Sequence, residues 1–143
     1  MRVVQNGSQT QLVIREQASI GEGKNLVKIL VAEDDLYAAG LYKAALESNG
    51  HEVLITYDGQ ECLRQYRNGL YDAVILDYKM PVLDGLKVAK QILFSNPEQR
   101  IIFLSAFSTE ILANAMEELD KVMEVLPKPF EPYDLVELVE NSP

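Results

Sequence analysis

Ala73-Val74-Ile75-Leu76-Asp77-Tyr78-Lys79-Met80-Pro81-Val82-Leu83-Asp84-Gly85 decides the fold. It opens with an unbroken apolar run, rich in β-branched side chains, as a strand buried on both faces requires. A carboxylate, Asp77, ends the run. Pro81 and Asp84-Gly85 mark a loop, and Asp84 is placed to cap a helix running to about Phe94. An apolar strand, a turn and a helix make one unit of a parallel sheet, so the flanking sequence should repeat the pattern.

It does so on both sides. Upstream, Val27-Lys28-Ile29-Leu30-Val31-Ala32 is a short apolar run followed by residues 36–49, where Leu36, Ala39, Tyr42, Ala45 and Leu46 recur at helical spacing. Asn49-Gly50 stops that helix with residues that tolerate positive φ. His51 to Thr56 reads as a second strand and Gly59 to Asn68 as a second helix, with Cys62, Leu63 and Tyr66 on one side. Downstream, Ile101-Ile102-Phe103-Leu104 is a fourth strand. Residues 109–120 form a helix with Ile111, Leu112, Ala115, Met116 and Leu119 inward. Val122 to Leu126 is a fifth strand and Tyr133 to Glu140 a last helix. Five such units with short connections predict an α/β fold around a doubly wound parallel sheet. On this reading His51 is a surface histidine, Cys62 faces the core, and Tyr133 and Leu135 are core residues.

Residues 1–26 differ. Gln5, Gln9, Gln11 and Gln17 sit among short apolar pieces, Asn6-Gly7 is a turn signal, and Gly21-Glu22-Gly23-Lys24-Asn25 looks like a linker. The expectation is an N-terminal extension or tail with a short hairpin, either packed on the domain or an unstructured lead-in, beside a domain over 27–141.

The 143 residues suffice for one domain, and 48% hydrophobic composition excludes a disordered chain. No apolar run approaches the roughly 20 residues that span a bilayer. The start lacks a signal peptide's apolar stretch. The single Cys62 cannot form an internal disulfide, and a cytoplasmic location is expected. A net charge of −9 disfavours DNA, RNA and anionic membranes as partners. It calls for an ion or partner that neutralises carboxylates.

In doubly wound sheets ligands bind beyond the carboxyl ends of the strands. There the chain places Glu33-Asp34-Asp35, then Asp77, then Ser105-Ala106, then Leu126-Pro127-Lys128-Pro129. Taken singly these residues are unremarkable types: the acidic triplet serves equally as a helix cap, Asp77 as a turn residue, Ser105 as a loop hydroxyl, Lys128 as a solvated charge. Together they gather carboxylates, a hydroxyl and an ammonium at one edge. Carboxylates so close raise one another's pKa unless a cation sits among them. Hard oxygen ligands suit Mg2+ or Mn2+. A metal, a hydroxyl and a lysine can share the oxygens of a phosphoryl group, and Asp77 is the natural carboxylate nucleophile.

Val31-Ala32-Glu33-Asp34-Asp35, the Asp-x-x-Met-Pro-x-x-Asp-Gly string from Asp77 to Gly85, Ile102 to Ala106, and Leu126-Pro127-Lys128-Pro129-Phe130 resemble, in order, the response regulator receiver domain. The resemblance covers residues 27–141. It implies a flavodoxin-like sheet of five strands in the order 2-1-3-4-5. Glu33 and Asp34 would hold Mg2+, partly through water. Asp77 would be phosphoacceptor and metal ligand, and Lys79 would offer the metal its backbone carbonyl. Ser105 would bind a phosphoryl oxygen and Lys128 would pair with Asp77 or its phosphate. The Lys128–Pro129 peptide would be cis, and Asp35 a helix cap. The phosphoryl donor would be a sensor histidine kinase or a phosphotransfer protein, and the output a downstream protein target. Because the sequence stops after the last helix, a stand-alone receiver without a nucleic-acid-binding or membrane part is expected, and not an enzyme.

One position departs from the family. Receivers often carry Tyr or Phe three residues before the lysine as a ring that reports phosphorylation, and here that residue is Val125. Phe107 is a substitute ring near Ser105, or a loop anchor. Val125 keeps a pseudo-receiver, a protein-interaction module without phosphorylation, as an alternative. A haloacid-dehalogenase-type phosphatase needs an acid two residues after its nucleophile, where this chain has Lys79. A P-loop reading of Gly21 to Lys24 fails because Asn25 stands where Ser or Thr is needed.

Overall fold

The structure, a computed structural model, describes residues 2–6, 9–13, 26–80, 82–107, 112–114, 117–119 and 122–141. The apolar runs form parallel strands β3 (Lys28–Ala32), β4 (Glu52–Thr56), β5 (Ala73–Asp77), β6 (Ile101–Ser105) and β7 (Val122–Pro127). They lie side by side as β4-β3-β5-β6-β7. Counted along the receiver segment, this is the expected order 2-1-3-4-5.

Helices α1 (Leu36–Ser48), α2 (Gly59–Arg67), α3 (Gly85–Ser95) and α4 (Pro132–Glu140) cover the sheet. Side chains alternate across a strand, so each buried strand feeds two cores. Leu30, Val74, Leu76, Phe103 and Val125 point to the side where α2 and α3 supply Cys62, Leu63, Val88 and Ile92. Ile29, Val31, Ile75, Ile102 and Leu126 point to the other side, where α1 supplies Tyr42 and Leu46 and α4 supplies Leu135 and Val139. β5 and β6 are buried at every residue, as their unbroken apolar runs foretell. The caps fall where the acids stand. Asp35 accepts from the backbone N–H groups of Tyr37 and Ala38, and Asp84 from that of Lys87.

The sheet has two further strands. β1 (Arg2–Asn6) and β2 (Gln9–Val13) form an antiparallel hairpin, and β1 pairs antiparallel with β7, Val3 opposite Val125. The N-terminal extension thus contains the expected hairpin, added at the β7 edge of the sheet. The linker-like Gly21–Asn25 stretch lies outside the described residues.

Three expectations change. His51 is buried, not on the surface. Its Nδ1 accepts from the Val27 N–H at 3.1 Å, and its Nε2 stands 2.9 Å from Glu140 Oε2. With Nδ1 occupied as an acceptor, Nε2 carries the proton and donates to Glu140. Tyr133 is exposed, whereas Leu135 is buried as expected. Leu36 is also exposed. It occupies the first position of α1, one turn beyond the buried stripe of Ala39, Tyr42 and Leu46. Of the helix expected over 109–120, residues 112–114 are helical and Glu117–Leu119 is a 3-10 turn, with Leu112 buried. Ile111, Ala115 and Met116 lie outside the described residues. None of the described helices is long and apolar enough to cross a membrane.

Candidate functional site

The strand order brings the ends of β3, β5, β6 and β7 side by side. Each end is fixed by backbone bonds that continue past the strand. The Glu33 N–H donates to the Thr56 carbonyl, the Tyr78 N–H to Leu104, and the Lys128 N–H to Ser105 at 2.7 Å. The loop after Asp77 turns back tightly, with the Gly85 N–H donating to the Tyr78 carbonyl at 2.9 Å. A Cβ at position 85 would collide with the Asp77 carbonyl oxygen, so glycine is required there by close approach.

One carboxylate oxygen each from Glu33, Asp34 and Asp77 lies within 4.8 Å of the other two. Glu33 and Asp77 are buried, while Asp34 is exposed. Lys128 bridges the buried pair, with Nζ 3.2 Å from Glu33 Oε1 and 3.4 Å from Asp77 Oδ1. Burial foremost, and then the neighbouring Glu33, push the Asp77 carboxyl up to about 7, against the opposing pull of Lys128. Burial works against the charge of Lys128, but Asp77 and Glu33 outweigh it, and the net push is upward.

Three oxygen donors around a space with surplus negative charge fit a hard dication such as Mg2+ or Mn2+. Asp35 stands outside the cluster with its carboxylate committed to the α1 cap, as expected.

Ser105 is buried at the end of β6, and its Oγ accepts from the Phe107 N–H at 2.9 Å. Lys79 sits two residues past Asp77 with its side chain exposed. The Lys128–Pro129 peptide is cis. Val125 is part of the core beside Phe103, with no ring in its place. Phe107 stacks edge-on against Tyr78, centroids 5.5 Å apart, and Tyr78 in turn meets Phe103.

Two contributors were missed in the sequence. Tyr42 lies on the inward stripe of α1, where an aromatic reads as core, yet its hydroxyl donates to Glu33 Oε1 at 3.4 Å. Burial, followed by the nearby Glu33, pushes the Tyr42 phenol up, so it stays a donor. Thr56, at the end of β4, donates its hydroxyl to the Val31 carbonyl at 2.8 Å and so braces the strand that carries Glu33. Neither has a signal beyond its place at a strand end or on an inward helical face.

Comparison with known proteins agrees with this geometry. The family model described as "Response regulator receiver domain" matches residues 29–140. The transcriptional regulatory protein ZraR of Salmonella typhimurium is 32% identical over 117 residues, which are 81% of this chain and 26% of ZraR. The DNA-binding transcriptional regulator NtrC of Azospirillum brasilense is 38% identical over 114 residues, 80% of this chain and 24% of NtrC. The chain therefore spans about a quarter of the length of these two relatives. Among solved structures, the receiver domain of a Francisella response regulator is 33% identical, with a TM-score of 0.72 over 79% of this chain and 93% of that one. A match over most of the chain, on a sheet of this order with acids at these strand ends, means that the chain belongs to the response regulator receiver domain family, whose members are signalling domains and not enzymes in the usual sense.

Proposed function

We propose that this receiver takes a phosphoryl group on Asp77, from a sensor histidine kinase or a phosphotransfer protein, and passes the change to a downstream protein target. The observation that carries it is the convergence of Glu33, Asp34 and Asp77 oxygens within 4.8 Å, with Lys128 reaching two of them.

In this reading an Asp77 carboxylate oxygen attacks the phosphorus of a phosphohistidine. The P–N bond breaks and its electron pair stays on the ring, which leaves as neutral imidazole because the donor's other ring nitrogen already carries a proton, and an acyl phosphate forms. Glu33, Asp34, Asp77 and the Lys79 carbonyl would hold Mg2+ or Mn2+, which would supply charge neutralisation to the phosphoryl oxygens when bound. Lys128 releases Asp77 and pairs with the new phosphate. Ser105 turns its hydroxyl to another phosphoryl oxygen. Buried Glu33, oriented by Tyr42 and Lys128, keeps the acid pair fixed. The division of the chain into an extension, 1–26, and a receiver, 27–141, belongs to the same reading, with β1 and β2 lengthening the receiver's sheet.

Val125 is the observation that favours a pseudo-receiver instead. The acid group, buried Ser105 and Lys128 weigh against it, because a pure interaction module has no need to hold three carboxylates together. Incubation with Mg2+ and acetyl phosphate followed by intact mass spectrometry separates the two. Addition of one phosphoryl group to the wild type and none to Asp77→Asn is expected. Equal addition to both, or addition to neither, would sink the reading.

A further inference from the structure

The face formed by α2 and α3 carries a groove that the phosphorylation site does not use. Two adjoining cavities, of about 470 and 440 Å3, run along it and share Leu63, Arg67 and Gln91. Leu63 and Ile92 form an apolar floor, with Tyr66 on one side. Phe94 stands at the rim with 92% of its surface in solvent. A large ring so exposed beside an apolar floor marks a contact surface more often than a stray residue does.

The charge of this groove runs against that of the chain. The chain carries −9. Yet neither cavity is lined by a carboxylate, while Arg64, Arg67 and Lys90 line them. The acids of these two helices sit at their starts instead, where Asp58 and Asp84 cap and Glu61 occupies the first turn of α2. Two arginines one turn apart on α2 therefore flank an apolar slot. Arg forks pair well with carboxylates, and their stems cover apolar surface.

We propose that the α2–α3 groove docks an acidic amphipathic segment of a partner protein, with an aromatic or aliphatic side chain seated between Tyr66, Ile92 and Phe94 and carboxylates on Arg64 and Arg67. The helix α3 that walls the groove, Gly85–Ser95, is roughly 16 Å long, enough to lie along about three turns of a docked helix. A long polyanion such as nucleic acid fits poorly, because beyond this face it meets a chain with large negative charge. Leu83 closes one end of the groove and belongs to the loop that follows Asp77, so a docked segment would touch the loop next to the phosphorylation site. The proposal stands whether or not Asp77 is phosphorylated.

The test uses the full chain and a fluorescein-labelled amphipathic peptide of about 15 residues, with Phe and Leu on one face and Glu on the other. Its Glu→Gln counterpart and a single-stranded DNA oligonucleotide serve as rivals. Anisotropy should show saturable binding of the acidic peptide. Arg64→Glu with Arg67→Glu, and separately Phe94→Ser, should each weaken it at least about tenfold. Amide chemical-shift changes should centre on α2 and α3. The substituted side chains are exposed, so amide spectra should show all variants folded. Should the double variant unfold, Phe94→Ser and Lys90→Glu carry the comparison. No binding, equal binding of the Gln peptide, tighter binding of the DNA, or shifts centred elsewhere would overturn the proposal. So would a concentration-dependent dimer in sedimentation that Phe94→Ser abolishes, because it would give the groove to a second copy of this chain.

Discussion

The Ser105 hydroxyl accepts a hydrogen bond from the Phe107 backbone N–H at 2.9 Å, tying the end of β6 to the ring that packs on Tyr78. Tyr78 follows Asp77 directly, so the ring beside Asp77 touches the ring two residues past Ser105. In the proposed switch, Ser105 turns toward the phosphoryl group and the Phe107 N–H loses part of its acceptor. We predict that acetyl phosphate with Mg2+ shifts the Phe107 amide resonance by more than the median of the chain. Ser105→Ala should instead cost about 1 kcal/mol and speed Phe107 amide exchange by about fivefold. A Phe107 amide that stays still on phosphorylation would remove this contact from the reporting path and leave Val125 without a substitute.

In the proposed reading, Asp77 and Glu33 together make metal binding depend on pH. Burial, then Glu33, hold the Asp77 carboxyl at about 7, whereas in the unfolded chain it titrates near 3.9. A raised folded-state value means that stability present below the unfolded pKa is lost as pH rises through the folded one. Without divalent cation, the urea midpoint should therefore fall between about pH 4 and pH 7, and Asp77→Asn should flatten that slope. Mg2+ requires the ionised carboxylate, so its apparent affinity should rise by up to about tenfold per pH unit below 7 and level off above it. Titration calorimetry in two buffers of different ionisation enthalpy checks the released proton. Affinity independent of pH would separate Asp77 from the metal.

Much of this site was legible because strand ends are legible. Apolar runs such as Ala73 to Leu76 stop at a polar residue, and the parallel topology then collects those residues at one edge. The acids at helix starts were legible for the same local reason, since a cap bonds residues two or three positions ahead. What stayed hidden depends on pairing across the chain. His51 reads as a surface residue because its two partners, Val27 and Glu140, are 24 and 89 residues away. The hydroxyl of Tyr42 bonds a carboxylate nine residues before it, but only because α1 folds back over β3. The place of the hairpin was equally hidden. Asn6-Gly7 signals a turn, yet nothing local says that Val3 will lie beside Val125.

Lys128 holds two buried acids with one charge, so its loss should be felt both in stability and in chemistry. Lys128→Met keeps most of the apolar stem and removes the ammonium that lies 3.2 Å from Glu33 and 3.4 Å from Asp77. At pH 8 in chelator the variant should lose roughly 1–3 kcal/mol, with Mg2+ restoring part of it. At pH 5 the loss should shrink, because Asp77 is then protonated and repels Glu33 less. Phosphorylation by acetyl phosphate should slow by at least about tenfold. Urea melts at the two pH values decide the first point. An equal loss at both would mean that Lys128 matters through packing alone.

Arg100 binds the far end of the molecule as Lys128 binds the site. Its guanidinium forks onto the buried Glu124 of β7 at 2.7 and 2.9 Å. It also donates to the carbonyls of Leu138, Val139 and Asn141, the acceptors at the end of α4. One side chain thus satisfies helix-end carbonyls and a buried carboxylate at once. Arg100→Ala should cost about 3 kcal/mol. Arg100→Lys should recover less than half of that, because an ammonium cannot fork onto Glu124 and reach three carbonyls together. Amide exchange should locate the damage, with α4 protection falling first while the protection of β3 and β5, which carry the proposed site, is unchanged. If Lys restored full stability, the geometry of the fork would be irrelevant and a single positive charge near the end of α4 would suffice.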